Sequence, residues 1–322
     1  MIKYKYIEET NDMDNIKIHF LNTIWSDAII LEKDNHYAFI DAATDFYYPM
    51  IQKHLKDFNI DTIDFIVLTH FHSDHYDNIV NLINDYNVKT LYLKRYYGIE
   101  GSIVSVFESE NQYINNEIAN YESILKIAKE NNTKVIFIDE QGTDIYTINF
   151  QNINIELYNV RNVLYDIYTD KESKYYKQRV FNENHNSIGV FFRVNDFNVF
   201  LGSDLTCVDK DVKSLDNRTI SIINQIYKRH NIDHIDLYKS CHHGHNENNP
   251  LKLCKLIKPN YAVITNTLRW LDNYSTFDSL KKANPNVNVL LTDHQKYVFS
   301  ITDKIDYYKI DDESLFIILN KD

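Results

Sequence analysis

Thr69-His70-Phe71-His72-Ser73-Asp74-His75 places four residues of metal-ligand type within seven positions. The segment follows a short apolar run, Phe65-Ile66-Val67-Leu68, which reads as a strand buried on both faces. A helical pattern from Asp74 to Asn84 follows it. Side chains at i and i+2 of extended backbone point the same way, so His70 and His72 can grip one metal ion together. Asp74 and His75 open the helix and face a second ion. Solvated loop histidines are the plain alternative. Four donors packed between a buried strand and a helix favour metal instead. This mixture of imidazole and carboxylate suits Zn²⁺ and also accepts Mn²⁺ or Fe²⁺, so two divalent metal ions are the expected cofactor.

The remaining ligands are expected at other strand ends. Gly202-Ser203-Asp204 follows the apolar segment Val199-Phe200-Leu201, and a carboxylate there can bridge two cations where a neutral imidazole cannot. Asp204 is therefore the candidate bridging ligand. Ser240-Cys241-His242-His243-Gly244-His245 follows a strand from Asp236 to Lys239. Neighbours on extended backbone face opposite ways, which favours one ligand of the pair. His242 is taken as that ligand, with His243 supporting it or near substrate; Cys241 reads as a buried thiol. His185, in Asn184-His185-Asn186-Ser187, fits a third ligand for the first metal, a substrate contact or a plain loop residue equally well.

Around these sites the chain alternates strand and helix signals. Strands are expected at Ile16 to Leu21, Ala28 to Glu32 and Tyr37 to Ile40, the last two joined by an Asp34-Asn35 turn. A helix is expected from Pro49 to about Phe58, a strand from Thr90 to Leu93, and one long or broken helix over about 103 to 131. Strand-like segments follow at Val135 to Ile138, Ile145 to Ile148 and Ile153 to Leu157. The second half has the same grammar. Strands at Ser187 to Val194 and Asn198 to Leu201 precede a helix from Val212 to Lys228, and helix–strand alternation continues to Leu291. Two strand-rich halves, each closed by helices, predict an α/β (α+β) fold: an αββα sandwich of two packed mixed sheets. With no Pro/Gly/Ser-rich linker, residues 1–322 are read as a single domain, with insertion or lid segments at about 100–131 and 162–184.

Composition narrows the partners. Of 322 residues, 44% are hydrophobic, enough for a substantial core. The 34 basic and 46 acidic side chains give a formal charge of -12, which disfavours a general nucleic-acid surface. The abundant Asn, Ile, Lys and Tyr read as the bias of an AT-rich bacterial genome, not as an aromatic ligand surface. Cys207, Cys241 and Cys254 have no paired spacing and read as free thiols of a reducing compartment. No signal peptide and no apolar run of about 18 residues is visible, so a soluble, cytoplasmic protein without membrane contact is expected. The oligomeric state is open.

These residues resemble the metallo-β-lactamase superfamily over roughly Ile16 to Ser300. The metallo-β-lactamase-like domain of DNA-uptake channel proteins is similar at Trp25-Ser26-Asp27-Ala28-Ile29-Ile30-Leu31, at Asn184 to Ser187 and at His242-His243-Gly244. The catalytic module of phosphorylcholine esterases looks closer. Its likeness runs through Ile18-His19-Phe20, Ser26 to Ile29, Ile40-Asp41-Ala42, Asp64 to His70, Leu91 to Lys94, Leu201 to Leu205, Asp236 to Lys239 and Leu268-Arg269-Trp270. The resemblance implies metal-dependent hydrolysis of an ester, with His70, His72, Asp74, His75, Asp204 and His242 as ligands. It further implies that Asp41 supports the histidine loop and that Trp270 could face a choline-like cation, a core tryptophan being the plain alternative. The family's glycine after the helix-opening histidine is replaced here by Tyr76-Asp77-Asn78, and the secretion signal and choline-binding repeats of the esterases are missing.

The expected chemistry is a two-metal phosphoesterase acting on a phosphodiester or a small, choline-bearing ester. Asp74 would orient the attacking hydroxide or take its proton, and His243 or His245 would stabilise the leaving oxygen. A nuclease acting on single strands and a non-catalytic metabolite sensor are the competing readings. The acidic balance counts against the first, and the complete ligand motif counts against the second.

Overall fold

The computed structural model describes residues 15–96, 108–163, 171–172, 183–208, 217–267, 271, 275–293, 295–302, 304–311 and 316–318. Alternation builds its first half. β1 (Ile16–Phe20), β2 (Ile29–Lys33) and β3 (His36–Ile40) form antiparallel neighbours. Asp34 and Asn35, at φ 52 and 61, make the tight turn that the Asp-Asn pair signals. Then come α1 (Tyr48–Asp57), with proline in its first turn, the two-residue β4 (Thr62–Ile63) and the buried β5 (Phe65–Val67). The helix expected from Asp74 to Asn84 is two helices, α2 (Ser73–Tyr76) and α3 (Ile79–Asp85). Asn78 lies at the break. Its side-chain amide faces the carbonyls of Ala42, Ala43 and Thr44 and ties the junction to the loop after β3. β6 (Asn87–Val88), β7 (Thr90–Leu93), α4 (Glu108–Glu130) and β8 (Lys134–Phe137) complete this half.

The second half holds β9 (Ile145–Phe150), β10 (Ile153–Tyr158), β11 (Gly189–Val194), β12 (Phe197–Leu201), α5 (Arg218–His230), β13 (Leu237–Lys239), α6 (Leu251–Ile257), β14 (Tyr261–Ile264), α7 (Ser275–Ala283) and β15 (Asn288–Leu291). The helix expected from Val212 instead starts at Arg218, because Asn217 at φ 64 is outside helical conformation; 209–216 lie outside the described residues, as do most of 162–182. Three strands beyond the sequence reading, β16 (Gln295–Ile301), β17 (Ile305–Asp311) and β18 (Phe316–Ile318), return to the first sheet. Among the described residues its nine strands run β18-β17-β16-β1-β2-β3-β5-β7-β8, and the seven of the other run β15-β14-β13-β12-β11-β10-β9.

The two sheets pack face to face, as the αββα expectation requires, and strand alternation assigns each side chain to a layer. Ile18, Leu31 and Ile40 of one sheet meet Leu157, Val190, Phe192 and Val199 of the other in a common core. Their neighbours Ile30 and Phe39 face Ile51 and Leu55 of α1, Leu82 of α3 and Ile124 of α4. Phe191 and Phe200 face Ile223 and Ile226 of α5, Leu253 of α6 and Leu280 of α7.

Parallel pairing then puts the chemistry on one edge. β3, β5, β7 and β8 are parallel, as are β12 to β15, and β11 runs antiparallel to β12. The residues after β3, β5, β12, β13 and β14, and those before β11, therefore share one end of the sandwich. Such carboxyl ends are where open α/β sheets place ligands. No helix among the described residues is long and apolar enough to cross a membrane.

Phe192 is fully buried between the sheets. Phe192→Ala is expected to cost about 3–5 kcal/mol, seen as a lower midpoint in urea unfolding; an unshifted midpoint would contradict this packing. On the outer face, Glu32 pairs with His19 Nε2 at 2.9 Å and Lys17 Nζ at 2.6 Å. Burial pushes its carboxyl up, but the bond and charge of His19, then Lys17, outweigh burial and hold it at about 2, below its ordinary 4.5. A lowered folded-state value means stabilisation that is full above the ordinary value and is lost as pH falls toward about 2. Glu32→Gln should therefore lose less stability than the parent between about pH 5 and pH 3, and equal losses would refute this linkage.

Candidate metal centre

Thr69 begins the site. Its N–H and hydroxyl donate to the two carboxylate oxygens of Asp41, at 2.8 and 2.7 Å. Asp41 follows β3 at φ 60, a left-handed conformation that a short polar side chain such as Asp tolerates better than most. Its Oδ2 also lies 2.7 Å from His75 Nδ1, so the carboxylate fixes that ring and turns Nε2 inward. Ser203, at φ 44 after β12, donates to the Thr69 hydroxyl at 2.6 Å, and the Ile188 N–H bonds the Thr69 carbonyl at 3.1 Å. The ends of the two sheets are thereby stitched together over the histidine loop.

Asp204 is central. Its Oδ1 lies 3.5 Å from both His75 Nε2 and His243 Nε2, while its Oδ2 lies 3.5 Å from His242 Nε2 and 3.7 Å from His70 Nε2. His70 Nε2 in turn faces His72 Nδ1 at 3.1 Å, and His243 Nε2 is 3.0 Å from Asp74 Oδ2. Two clusters of converging donors result: Asp74, His75, Asp204 and His243, and His70, His72 and Asp204. Gly202 permits this approach. A Cβ there would meet the Cys241 sulfur at 2.6 Å and the Lys239 carbonyl at 3.0 Å, so any side chain would push the ends of β12 and β13 apart.

The alternation argument for His242 and His243 does not apply to the folded chain. Cys241–Gly244 is a tight turn with His242 at φ 46 and His243 at φ 47, so both rings swing toward Asp204, one to each oxygen. His243 joins the cluster of Asp74 and His75. His242 approaches from the His70 side and is more open to solvent. Asn184 reaches the same place, with its amide 3.5 Å from His242 Nε2. His185 is buried on that turn with its carbonyl held by Asn159, and the donor clusters among the described residues do not include it. His245 lies against His242, ring centroids 4.6 Å apart. Trp270 lies outside the described residues. Tyr76, in place of the family's glycine, stacks on Phe71 at 4.0 Å and donates to buried Glu117 at 2.7 Å.

A buried network behind His243 was not assigned a role from sequence. Lys239, at the end of β13, is fully buried and pairs with Asp27. Thr265 donates to Asp27 Oδ1 at 2.7 Å and lies 2.9 Å from His243 Nδ1, which orients that ring. The one available signal was a lysine ending an otherwise apolar strand. Burial pushes the Asp27 carboxyl up, but Lys239 and then His243 outweigh it and hold it well below the usual carboxylate range. A third grouping, Asp27, Asp41 and His75, also lies within ligand distance. The oxygens of Asp27 and Asp41 are already taken by Lys239, Thr265 and Thr69, so both serve as supports for the rings.

The field at the centre is negative. Burial pushes His243 down, yet Asp204 and Asp27 raise it to about 9; His75 is raised in the same way by Asp204, Asp41 and Asp74. Burial pushes His70, His72 and His242 below the usual histidine range, toward the neutral imidazole that binds metal. His75 Nε2 and Asp204 Oδ1 are buried without a hydrogen bond, 3.5 Å apart. Sealed donors without partners, in a field that attracts positive charge, fit divalent cations.

Residues 26–113 match the family model of the metallo-beta-lactamase superfamily, a stretch that carries Asp27, Asp41 and the histidine loop but stops short of Asp204 and His242. The metallo-beta-lactamase fold protein YhfI from Bacillus subtilis is similar in structure, with 10% identity, a TM-score of 0.50, and coverage of 86% of this chain and 96% of that one. Tm1679, a metal-dependent hydrolase of the beta-lactamase superfamily, is similar with 13% identity, a TM-score of 0.50, and coverage of 86% and 95%. A comparison with curated proteins finds no match. These likenesses show the fold.

Lys239→Met should leave the Asp27 carboxylate buried without its ammonium partner, and is expected to destabilise the protein by about 3–5 kcal/mol in chemical denaturation. Adding Asp27→Asn should recover part of the loss. A double variant no more stable than Lys239→Met would contradict the pairing.

Proposed function

We propose that this chain, which has the metallo-β-lactamase fold, is a binuclear metal-dependent hydrolase acting on a phosphoric ester. The observation that carries the reading is Asp204, whose two carboxylate oxygens each face a separate set of imidazoles. One cation would be held by His70, His72 and Asp204 Oδ2, with His242 completing the set. The other would be held by Asp74, His75, His243 and Asp204 Oδ1. When bound, a pair of divalent cations acidifies water and offsets charge on an ester oxygen.

The chain's own residues do the rest. Asp74 Oδ2 reaches the centre from a side chain that is 27% exposed, placed to accept a proton and pass it to solvent. Asp41 and the Thr265–Asp27 pair hold His75 and His243 with one ring nitrogen directed inward, so no reorientation accompanies the reaction. His243 is better placed as a ligand than as a group acting on the leaving oxygen, since its ring is wedged between Thr265 and Asp74. The phosphoric ester, and a choline-bearing one in particular, rests on the sequence resemblance.

Elemental analysis of the purified protein should find about two equivalents of divalent metal, Zn²⁺ foremost, and Asp204→Ala should lose most of both metal and turnover. p-Nitrophenyl phosphate, bis-p-nitrophenyl phosphate, p-nitrophenyl phosphorylcholine and single-stranded DNA should separate the substrate classes. Metal content and turnover of wild-type level in Asp204→Ala would sink the bridging role, and hydrolysis of DNA alone would overturn the substrate class.

A further inference from the structure

The four rings that face Asp204 each have a partner on the nitrogen turned away from it. Asp41 lies 2.7 Å from His75 Nδ1, Thr265 lies 2.9 Å from His243 Nδ1, and the Thr69 hydroxyl lies 3.2 Å from His70 Nδ1. For His242 that partner is Asn248, whose amide oxygen lies 3.3 Å from Nδ1. His242 is also the most open of the four, its side chain 30% exposed against 4% or less for the others. Packing holds this ring least, so its direction depends most on the bond it makes.

The Asn248 amide is itself oriented by its other end. Nδ2 donates to the Leu205 carbonyl at 3.0 Å, and a carbonyl only accepts, so Oδ1 is the atom turned to the ring. Oδ1 only accepts as well, so His242 Nδ1 carries the proton; the other tautomer would set two lone pairs against each other. Nε2 then presents its lone pair on the side where Asp204 Oδ2 lies 3.5 Å away. Leu205 directly follows Asp204, so one amide ties the His242 ring to the segment bearing the bridging carboxylate. The backbone of the turn is held separately. Fully buried Asn249 accepts the Tyr238 hydroxyl at 2.6 Å and the Cys241 N–H at 3.0 Å. Its own amide donates to the carbonyls of Cys241 and His245, at 2.7 and 2.8 Å. The His242 N–H bonds the Ser203 carbonyl at 2.7 Å, a contact that needs nothing from the Asn248 side chain.

We propose that Asn248 is the positioning residue for the cation on the His70 side, holding His242 with its proton on Nδ1 and its Nε2 directed inward beside Asp204 Oδ2; this rests on the metal-hydrolase reading. The rings on the other side of Asp204 are aligned by Asp41 and Thr265 instead, so the two cations depend on different supports.

Titration of the metal-free protein with Zn²⁺ tests this. The parent should take up about two equivalents, and Asn248→Ala should bind one of them roughly 10–100-fold more weakly, the loss typical of a ligand's outer partner. Asn248→Asp keeps an oxygen for Nδ1 but not the donor to Leu205, so it should recover most of that affinity. In long-range proton–nitrogen correlation spectra of the zinc-loaded parent, His242 should carry its proton on Nδ1. Zinc bound through Nδ1 of that ring, equal affinities in Asn248→Ala, or an Asn248→Asp protein as weak as the alanine variant would each overturn the role of Asn248 and leave the metal centre standing. Loss of both equivalents, or of the fold, in Asn248→Ala would make the amide a support of the whole turn and overturn the selective role equally. A parent that binds no zinc would bring down the metal-hydrolase reading, and this inference with it.

Discussion

Asp204 is a carboxylate buried among the imidazoles of His70, His75, His242 and His243, and the architecture of the site follows from that arrangement. A buried carboxylate is costly unless positive charge meets it. Here burial pushes Asp204 up, but His242, His243 and His75 together hold it well below the usual range. The same carboxylate raises His75 and His243 against their own burial. The balance is local and mutual, and it makes the centre a place where cations can take over the role that protons otherwise play.

Holding those groups in position requires unusual backbone. Trp25, Asp41, Ser203, His242 and His243 all lie at positive φ, and all border the centre. None is glycine, so each carries a steric cost that the surrounding bonds must offset. The offsetting contacts are specific: Asp41 through Thr69 and His75, Ser203 through the Thr69 hydroxyl, and the Trp25 loop through Thr265 and Tyr47. The core, with its alternating Ile, Leu, Val and Phe, supplies the rigidity that keeps this edge strained.

Much of this was legible in the chain. Runs of β-branched and aromatic residues bounded by turn signals placed β1 to β3 and β9 to β12, because strand composition and turn chemistry are local. The histidine loop was legible because its donors lie within seven residues, where one strand end and one helix start determine their directions. The break at Asn78 was not, since the contacts of that side chain are with carbonyls of Ala42, Ala43 and Thr44 some 34 to 36 positions away. Nor were the last three strands, which pair with β1 from the far end of the chain.

The sequence by itself determined the layered α/β architecture and a cluster of metal-type donors, because both are written in short-range signals: strand and helix composition, turn residues, and donors two residues apart. Tertiary structure alone decided how those donors divide. Ser203 meets Thr69 across 134 positions, Lys239 meets Asp27 across 212, and Thr265 meets Asp27 across 238. Those contacts, with the left-handed turn at His242 and His243, direct one histidine to each oxygen of Asp204. No local pattern carries that information, because it arises only when the ends of two sheets are packed against each other.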